Sequence, residues 1–326
     1  MPSLTVAHIS DLHIGPMPRP GLAALAGKRV TGFLSWQLRR SRIHRREVLQ
    51  RLADDLHTQT PDHIAVTGDL VNISLPAEFA EARDFLRHLG PPEKVTVIPG
   101  NHDAYVALPW APSLGLWAEY MSGGHVGEAD EREPRAIADF PFVRRRDGVA
   151  LIGLSTAIPT RPFSAAGELG QAQLGRLSIL LDKLAAEGLF RVVLIHHPPF
   201  GGGTYRRKSL RDAEAFADVI RAKGCELVLH GHTHMSALAR LKGANGPVPV
   251  IGVPSASAVL TRHRDPSRYH IYRIGRAASG GWHLDVSVRE LLLDGSGYAA
   301  AGEIAMLNPL VTAQGGPERA VQPECA

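Results

Sequence analysis

The chain has 326 residues, 44% of them hydrophobic, and a formal net charge of +4; that is apolar material for one large core or two modest ones. No apolar run approaches the ~18 residues needed to cross a bilayer, and residues 1–10 lack the basic stretch and long apolar core of a signal peptide. Only Cys225 and Cys325 are present, far apart, so neither a disulfide framework nor a thiolate metal site is indicated, and a reducing cytoplasm is the expected location.

In chain order, residues 4–9 read as a buried strand, and residues 15–27, rich in Pro and Gly, as irregular. Residues 28–51 hold eight basic residues (Lys28, Arg29, Arg39, Arg40, Arg42, Arg45, Arg46, Arg51) and one acid, Glu47. The remainder has 28 basic and 31 acidic residues (36 − 8 and 32 − 1), so the positive charge belongs to this stretch alone. Residues 45–58 read as a helix with Val48, Leu52 and Leu56 on one face, then come a strand at 64–67, a helix at 78–89 and a strand at 94–98. A further helix is expected at 109–120, and a hairpin at 140–146 and 149–155 turning on Asp147-Gly148. Then follow a helix at 171–187 with Leu174, Leu177, Leu181 and Leu184, a strand at 191–195, a helix at 212–223 and a strand at 227–229. Beyond His234 the pattern is all strand: 236–241, 248–253, 269–274 and 282–288. One domain is expected over 1–305, with a basic insert at 15–51 and a disordered tail over 306–326.

Five short segments stand just past the apolar runs: Asp11-Leu12-His13, Gly68-Asp69, Gly100-Asn101-His102-Asp103, His196-His197-Pro198-Pro199 and Gly231-His232-Thr233-His234. Each alone is unremarkable. A lone Gly-Asn reads as a turn, and a lone histidine as a surface residue. Together and in this order they resemble the metallophosphoesterase, or calcineurin-like phosphoesterase, family, over residues 8–257. The layout is similar to that of bacterial cyclic-nucleotide phosphodiesterase-like members. The resemblance implies an α/β fold, a four-layer α/β/β/α sandwich of two mixed sheets flanked by helices, with the site in loops beyond strand ends. The alternation of strands and helices is consistent with that.

The resemblance also implies a hydrolase with two metal ions, a phosphodiesterase first of all. Asp11, His13 and His234 would join Asp69 around one ion, and Asn101, His196 and His232 would join Asp69 around the other. Imidazole nitrogens with carboxylate and amide oxygens suit manganese, iron, zinc or cobalt. A carboxylate has two oxygens and can bridge two ions ~3.5–4 Å apart. Asn72 stands where purple acid phosphatases carry a tyrosine, so an iron–tyrosinate colour is not expected. Hydroxide on the metals would be the nucleophile, His102 the general acid, and Asp103 the carboxylate that orients its imidazole. His197 is expected to support the site rather than ligate. His8, His57, His63 and His88 have no motif context.

Two basic elements bear on the substrate, a phosphate ester or anhydride. Arg206, Arg207 and Lys208 follow the His196 loop and are candidate substrate-binding residues, with a solvated helix start as the plain alternative. Gly201-Gly202-Gly203 lacks the Gly-Lys-Ser/Thr of a nucleotide P-loop and reads as an active-site loop. The insert mixes Phe33, Leu34, Trp36, Leu38 and Ile43 with arginines. It is either a cap packed on its own domain or a face for an anionic membrane surface. In the second case the protein would be a pyrophosphohydrolase of a lipid-linked nucleotide such as UDP-2,3-diacylglucosamine, peripheral to the inner face of the membrane. A non-catalytic scaffold is disfavoured by the complete ligand set, and nucleic acid by the lack of an extended basic groove. The oligomeric state is left open.

Overall fold

The computed structural model describes residues 3–25, 27–123, 133–200, 207–262, 264–277 and 280–306. Two six-stranded mixed sheets form the centre. The first has the order β12-β11-β10-β1-β2-β3 and the second β4-β5-β6-β7-β9-β8. Here β1 is Ser3–Ile9, β2 His63–Val66, β3 Val95–Val97, β4 Phe142–Arg146, β5 Val149–Gly153 and β6 Phe190–Leu194. The rest are β7 Leu227–His230, β8 Ala237–Gly243, β9 Gly246–Gly252, β10 Arg268–Arg276, β11 Trp282–Leu291 and β12 Tyr298–Ile304.

The helices are α1 Lys28–Ser35, α2 Ser41–Ile43, α3 Arg46–Gln59, α4 Pro76–Leu89, α5 Gln171–Ala186 and α6 Ala213–Lys223. The layering follows from side-chain alternation in the second sheet. Val149, Leu151, Val192, Leu194, Leu227 and Leu229 share one core with β1, β2, β3, α3 and α4. Their neighbours Ala150, Ile152, Val193, Ile195 and Val228 point the other way, into a second core with α5 and α6. A strand with both faces apolar must be covered on both sides. The result is the four-layer α/β/β/α sandwich that the family resemblance implies.

Strands β1, β2 and β3 run parallel and adjacent, as do β5, β6 and β7. Their carboxyl ends therefore open side by side, and all five motif segments leave from them. The Asp147-Gly148 hairpin forms, with both residues at positive φ, 44° and 84°. The helix expected at 109–120 is instead a shorter 3₁₀ segment, Leu114–Met121. The insert is more regular than its composition suggests. Within 15–27 a 3₁₀ turn forms at Leu22–Leu25, and α1, a π-helical turn Trp36–Arg40 and α2 follow without a break. Strand β12 was not expected, because Tyr298-Ala-Ala-Ala-Gly-Glu-Ile has little β-branched character. Met306 packs against the main core; the rest of the tail expected over 306–326 lies outside the described residues. Among the described residues no helix is long and apolar enough to cross a membrane.

Candidate metal centre and active site

Two sheets contribute to one cluster. Asp11 and His13 follow β1, Asp69 follows β2, and Asn101 follows β3. His196 follows β6, and His232 and His234 follow β7. The backbone ties these loops together: Asp11 N–H donates to Gly68 O at 2.9 Å, His13 N–H to Asp69 O at 2.9 Å, and Gly231 N–H to His196 O at 3.1 Å. The approach is so close that a Cβ on Gly68 would stand 2.6 Å from the Gly100 nitrogen, and one on Gly231 1.8 Å from Ser10 Oγ. Gly68 also has φ of 95°. Asp11, His13, Asp69, His232 and His234 themselves sit at positive φ, between 41° and 68°. Side chains seldom adopt that region, and such strain gathers at functional sites.

The side chains fall into two groups that share Asp69. Oδ2 of Asp69 lies 3.4 Å from His196 Nε2 and 3.8 Å from His13 Nε2. On one side, Asn101 Oδ1 is 3.2 Å from His196 Nε2 and 2.8 Å from His232 Nδ1. On the other, Asp11 Oδ1 is 3.1 Å from His234 Nε2, which is 3.3 Å from His13 Nε2. Backbone carbonyls take the far nitrogens. His196 Nδ1 donates to Thr67 O at 2.6 Å, His13 Nδ1 to Val71 O at 3.2 Å, and His232 Nε2 to Lys208 O at 2.8 Å. That leaves each ring's other nitrogen facing the cluster, where a metal would take it as a ligand in place of a proton. His234 differs. Its Nδ1 accepts from Arg264 at 2.6 Å, which puts its proton on Nε2 towards Asp11. Ligation through Nε2 would move that proton to Nδ1 and release the guanidinium.

The donor set fits a pair of cations. Asp11 and Asp69 are buried, and apart from the His234 ring 3.1 Å away Asp11 Oδ1 has no hydrogen-bond partner. Uncompensated buried carboxylate oxygens are costly. Asp69 belongs to two of the three groups able to hold a metal ion among the described residues: with Asp11 and His196, and with His13 and His102. The third such group is His13, His44 and His234. Burial works against ionisation of Asp11, but His234 beside it holds the carboxyl down at about 2. Burial lowers His196, yet Asp69 carries it up to about 9. Burial and then Arg40 keep His13 well below the usual imidazole range.

His102 stands on the open side. Its Nδ1 donates to Asn72 O at 2.5 Å, and its backbone N–H to Asp69 Oδ1 at 2.7 Å. Burial and then Arg40 push its imidazole down to about 3. The expected partnership with Asp103 is not what the geometry provides. Asp103 Oδ1 accepts from the N–H groups of Leu70 and Val71 at 2.9 and 3.0 Å, and Oδ2 from those of Asp69 and Gly100 at 2.8 Å each. The carboxylate buckles the Asp69 loop to the Asn101 loop, and a carbonyl orients His102 instead. His197 is likewise spent, on Thr156 Oγ1 at 2.7 Å and Ala165 O at 3.0 Å.

The insert closes over this side. Lys28 is buried, its Nζ donating to Thr160 Oγ1 at 2.7 Å and Ser164 O at 3.2 Å, and it lies over the Tyr105 ring. Arg29 donates to the carbonyls of Ile73 and Ser74. Arg40, on the π-helical turn, enters the site. Its Nη2 is 2.9 and 3.1 Å from the two ring nitrogens of His13, and its Nη1 is 3.3 Å from both nitrogens of His102. Near-equal distances put the guanidinium against the ring faces, not in line with either lone pair. Sequence reading marked Arg40 only as one of the eight basic residues of the insert, and it missed Arg264 and His44. None belongs to a motif; only the density of basic residues marked Arg40. Of the candidate substrate residues, Arg207 and Lys208 have exposed side chains and touch the site through the Lys208 carbonyl. Arg206 and the Gly201–Gly203 loop lie outside the described residues.

Comparison with known proteins agrees with the fold and with the family that the motifs resemble. The calcineurin-like phosphoesterase family model matches residues 4–236, and the chain belongs to that family. It is a metal-dependent phosphoester hydrolase. A "Probable cyclic nucleotide phosphodiesterase" of Synechococcus is 22% identical, covering 87% of this chain and 92% of that one. A protein of the same name from Rhodococcus erythropolis is 26% identical over 56% of this chain and 54% of its own length. In fold, the chain is similar to a dimetal phosphatase from Danio rerio, with a TM-score of 0.55 at 11% identity, covering 92% of this chain and 98% of that one. A purple acid phosphatase from yellow lupin seeds gives a TM-score of 0.52 at 11% identity, covering 89% of this chain and 52% of that one.

Proposed function

We propose that the protein is a phosphodiesterase whose substrate phosphate binds at the Asp69-centred cluster and draws Arg40 off the His13 and His102 rings onto its oxygens. The observation that carries this reading is the sharing of Asp69 by two facing ligand groups, with the Arg40 guanidinium and the His102 imidazole beside them. Asp11, His13, Asp69 and His234 would hold one ion, and Asp69, Asn101, His196 and His232 the other. When bound, such a pair neutralises phosphoryl oxygens and makes hydroxide available at neutral pH. Arg40 adds a planar cation suited to phosphate oxygens. His102 gives a proton to the leaving oxygen. Burial and then Arg40 keep it neutral in the substrate-free site, and an anionic phosphate beside it favours the protonated form. The relatives named as cyclic nucleotide phosphodiesterases support a diester over a monoester.

The test is turnover by manganese-loaded protein of bis-p-nitrophenyl phosphate, p-nitrophenyl phosphate, cyclic AMP and UDP-2,3-diacylglucosamine. Diester hydrolysis should dominate. Asp69→Asn should lower the content of both ions and abolish it. Full metal content and activity in that variant overturns the reading, as does turnover confined to the monoester.

A second reading, pyrophosphohydrolysis of a lipid-linked nucleotide, is favoured by one observation. While α1 packs inward, Val30, Leu34 and Leu38 remain 43%, 52% and 73% exposed at four-residue spacing. Turnover of the lipid-linked nucleotide alone would select it.

A further inference from the structure

His44 ends the insert and is held from both sides. Its N–H donates to Arg40 O at 2.9 Å, Arg45 N–H donates to Ser257 O at 2.9 Å, and Val259 N–H to Ile43 O at 3.0 Å. The clamping loop is itself fastened to the site, since Ser255 Oγ donates to Asp11 O at 2.6 Å and Ala256 N–H to Ser10 O at 2.8 Å. The ring is 3% exposed. Trp36 stacks behind it, with centroids 6.4 Å apart and planes at 11°. Its other side meets His13 and His234 edge-on, at centroid distances of 4.6 and 5.4 Å.

The two ring nitrogens of His44 have different surroundings. Nδ1 lies 3.0 Å from Ser257 Oγ and 3.3 Å from Ser255 Oγ. The Ser255 hydroxyl proton is committed to the Asp11 carbonyl, so that oxygen offers His44 only lone pairs. This favours the proton on Nδ1 and leaves a lone pair on Nε2. Nε2 is buried and has no hydrogen-bond partner. A buried acceptor without a donor is unfavourable. Ligating atoms of His13, His44 and His234 all lie within 4.8 Å of one another. An imidazole beside other ligand residues, with one nitrogen fastened to a hydroxyl and the other unpartnered, is the usual arrangement of a metal-bound histidine.

We propose that His44 is a further protein ligand, through Nε2, of the ion held by Asp11, His13, Asp69 and His234. This rests on the two-metal reading of the site. It makes that ion's environment richer in imidazole than its partner's. It also ties the insert to the metal, so that the turn carrying Arg40 is set by coordination as well as by packing.

The experiment uses the full chain reconstituted with manganese for calorimetry and with cobalt(II) for proton NMR. His44→Asn retains a group near Nδ1 for Ser257 but cannot reach the ion. His44→Gln places an amide near Nε2. One of the two ions should bind at least about tenfold more weakly in His44→Asn, the other ion unchanged, with His44→Gln in between. Cobalt-loaded wild type, with ¹⁵N-labelled histidine, should show a paramagnetically shifted His44 Nδ1–H that His44→Asn lacks. Unchanged affinities in His44→Asn overturn the proposal. So does an unshifted His44 Nδ1–H in cobalt-loaded wild type, a measurement that needs no variant to fold. If wild type binds no pair of ions and Asp69→Asn changes nothing, the two-metal reading fails. If only the His44 results are negative, that reading stands and this ligand is removed.

Discussion

Arg40 and His102 are in contact across the open side of the cluster, the guanidinium Nη1 standing 3.3 Å from both nitrogens of the imidazole. One comes from the insert and the other from the motif segment after β3. The insert thus reaches the candidate metal centre rather than lining its rim. A cation so placed serves a phosphate group and is poorly replaced by the point charge of a lysine. Arg40→Ala should lower kcat/KM for a diester by about 10–100-fold, the range of a charge-assisted hydrogen bond. Arg40→Lys should recover only part of it. The insert should stay folded in both, because Lys28, Arg29 and Trp36 anchor it independently. Steady-state kinetics with bis-p-nitrophenyl phosphate checks this, and an undiminished kcat/KM in Arg40→Ala removes Arg40 from substrate binding.

In the proposed function His102 acts on the leaving group; Asn72 O fixes its ring and Asp69 its backbone N–H. His102→Ala should keep both ions and lose ~10²–10⁴-fold in rate on diesters with poor leaving groups. The loss should be smaller for p-nitrophenol, which departs without protonation. Equal losses across leaving groups, measured as a slope of rate against leaving-group pKa, argue against a general acid.

Asp103 holds the loops rather than the imidazole, and the two roles have different consequences. In Asp103→Asn, two of the four backbone N–H groups face an amide NH₂ instead of an oxygen. Each buried donor left unsatisfied costs about 1–3 kcal/mol. Urea unfolding of the metal-free variant should therefore show a loss of at least about 2 kcal/mol. An orienting carboxylate would lower kcat and leave the urea midpoint unchanged, and that result would restore the orienting role.

The parts of the site that could be read from sequence are those in which motif and strand coincide. Asp11, Asp69, Asn101, His196 and His232 each follow an apolar run, and each run is a strand. What could not be read depends on contacts that leave no pattern. Helix α1 packs through Gly32, where a Cβ would stand 2.6 Å from Ile73 Cγ2 and 2.7 Å from the Tyr105 hydroxyl. A contact made by a missing side chain has no hydrophobic signature. Asp103 follows His102 in the chain, so adjacency suggested a partnership, whereas its oxygens face backbone N–H groups that sequence does not mark. His44 needed the 255–259 loop, over two hundred residues away, to acquire its surroundings.

Acid should unfold the protein partly through buried histidines remote from the metal cluster. His270, on β10, is pushed from 6.5 down to about 4, first by burial and then by Arg268. His63 is driven down in the same direction by burial. The unfolded chain takes up these protons below pH ~6.5, while the native state does not until nearer the folded value. Stability is therefore full above about pH 6.5, falls between there and about 4, and levels off below. For His270 the loss is on the order of 3 kcal/mol. His270→Phe should flatten the fall of Tm between pH 7 and 4.5. Parallel Tm curves for variant and wild type would show that His270 does not contribute.

The exposed edge of the insert separates the two readings of the substrate. Val30, Leu34 and Leu38 lie on successive turns, and the exposed Arg39 and Arg42 follow on the π-helical turn and α2 that continue α1. An apolar edge beside exposed arginines suits an anionic bilayer surface. Each basic residue near such a surface is worth ~1 kcal/mol, and the attraction decays within a Debye length. If the substrate is lipid-linked, the protein should sediment with phosphatidylglycerol vesicles at low salt and be released at high salt. Replacing Arg39 and Arg42 with Ser should weaken that binding roughly 30-fold, the sum of two such contributions. Replacing Leu34 and Leu38 with Ser should weaken it further. Neither change touches Lys28, Trp36 or Arg40, so hydrolysis of a soluble diester should stay near the wild-type rate. A protein that stays in the supernatant at low salt retires the membrane reading, and the insert is then a cap whose inward residues alone carry its role.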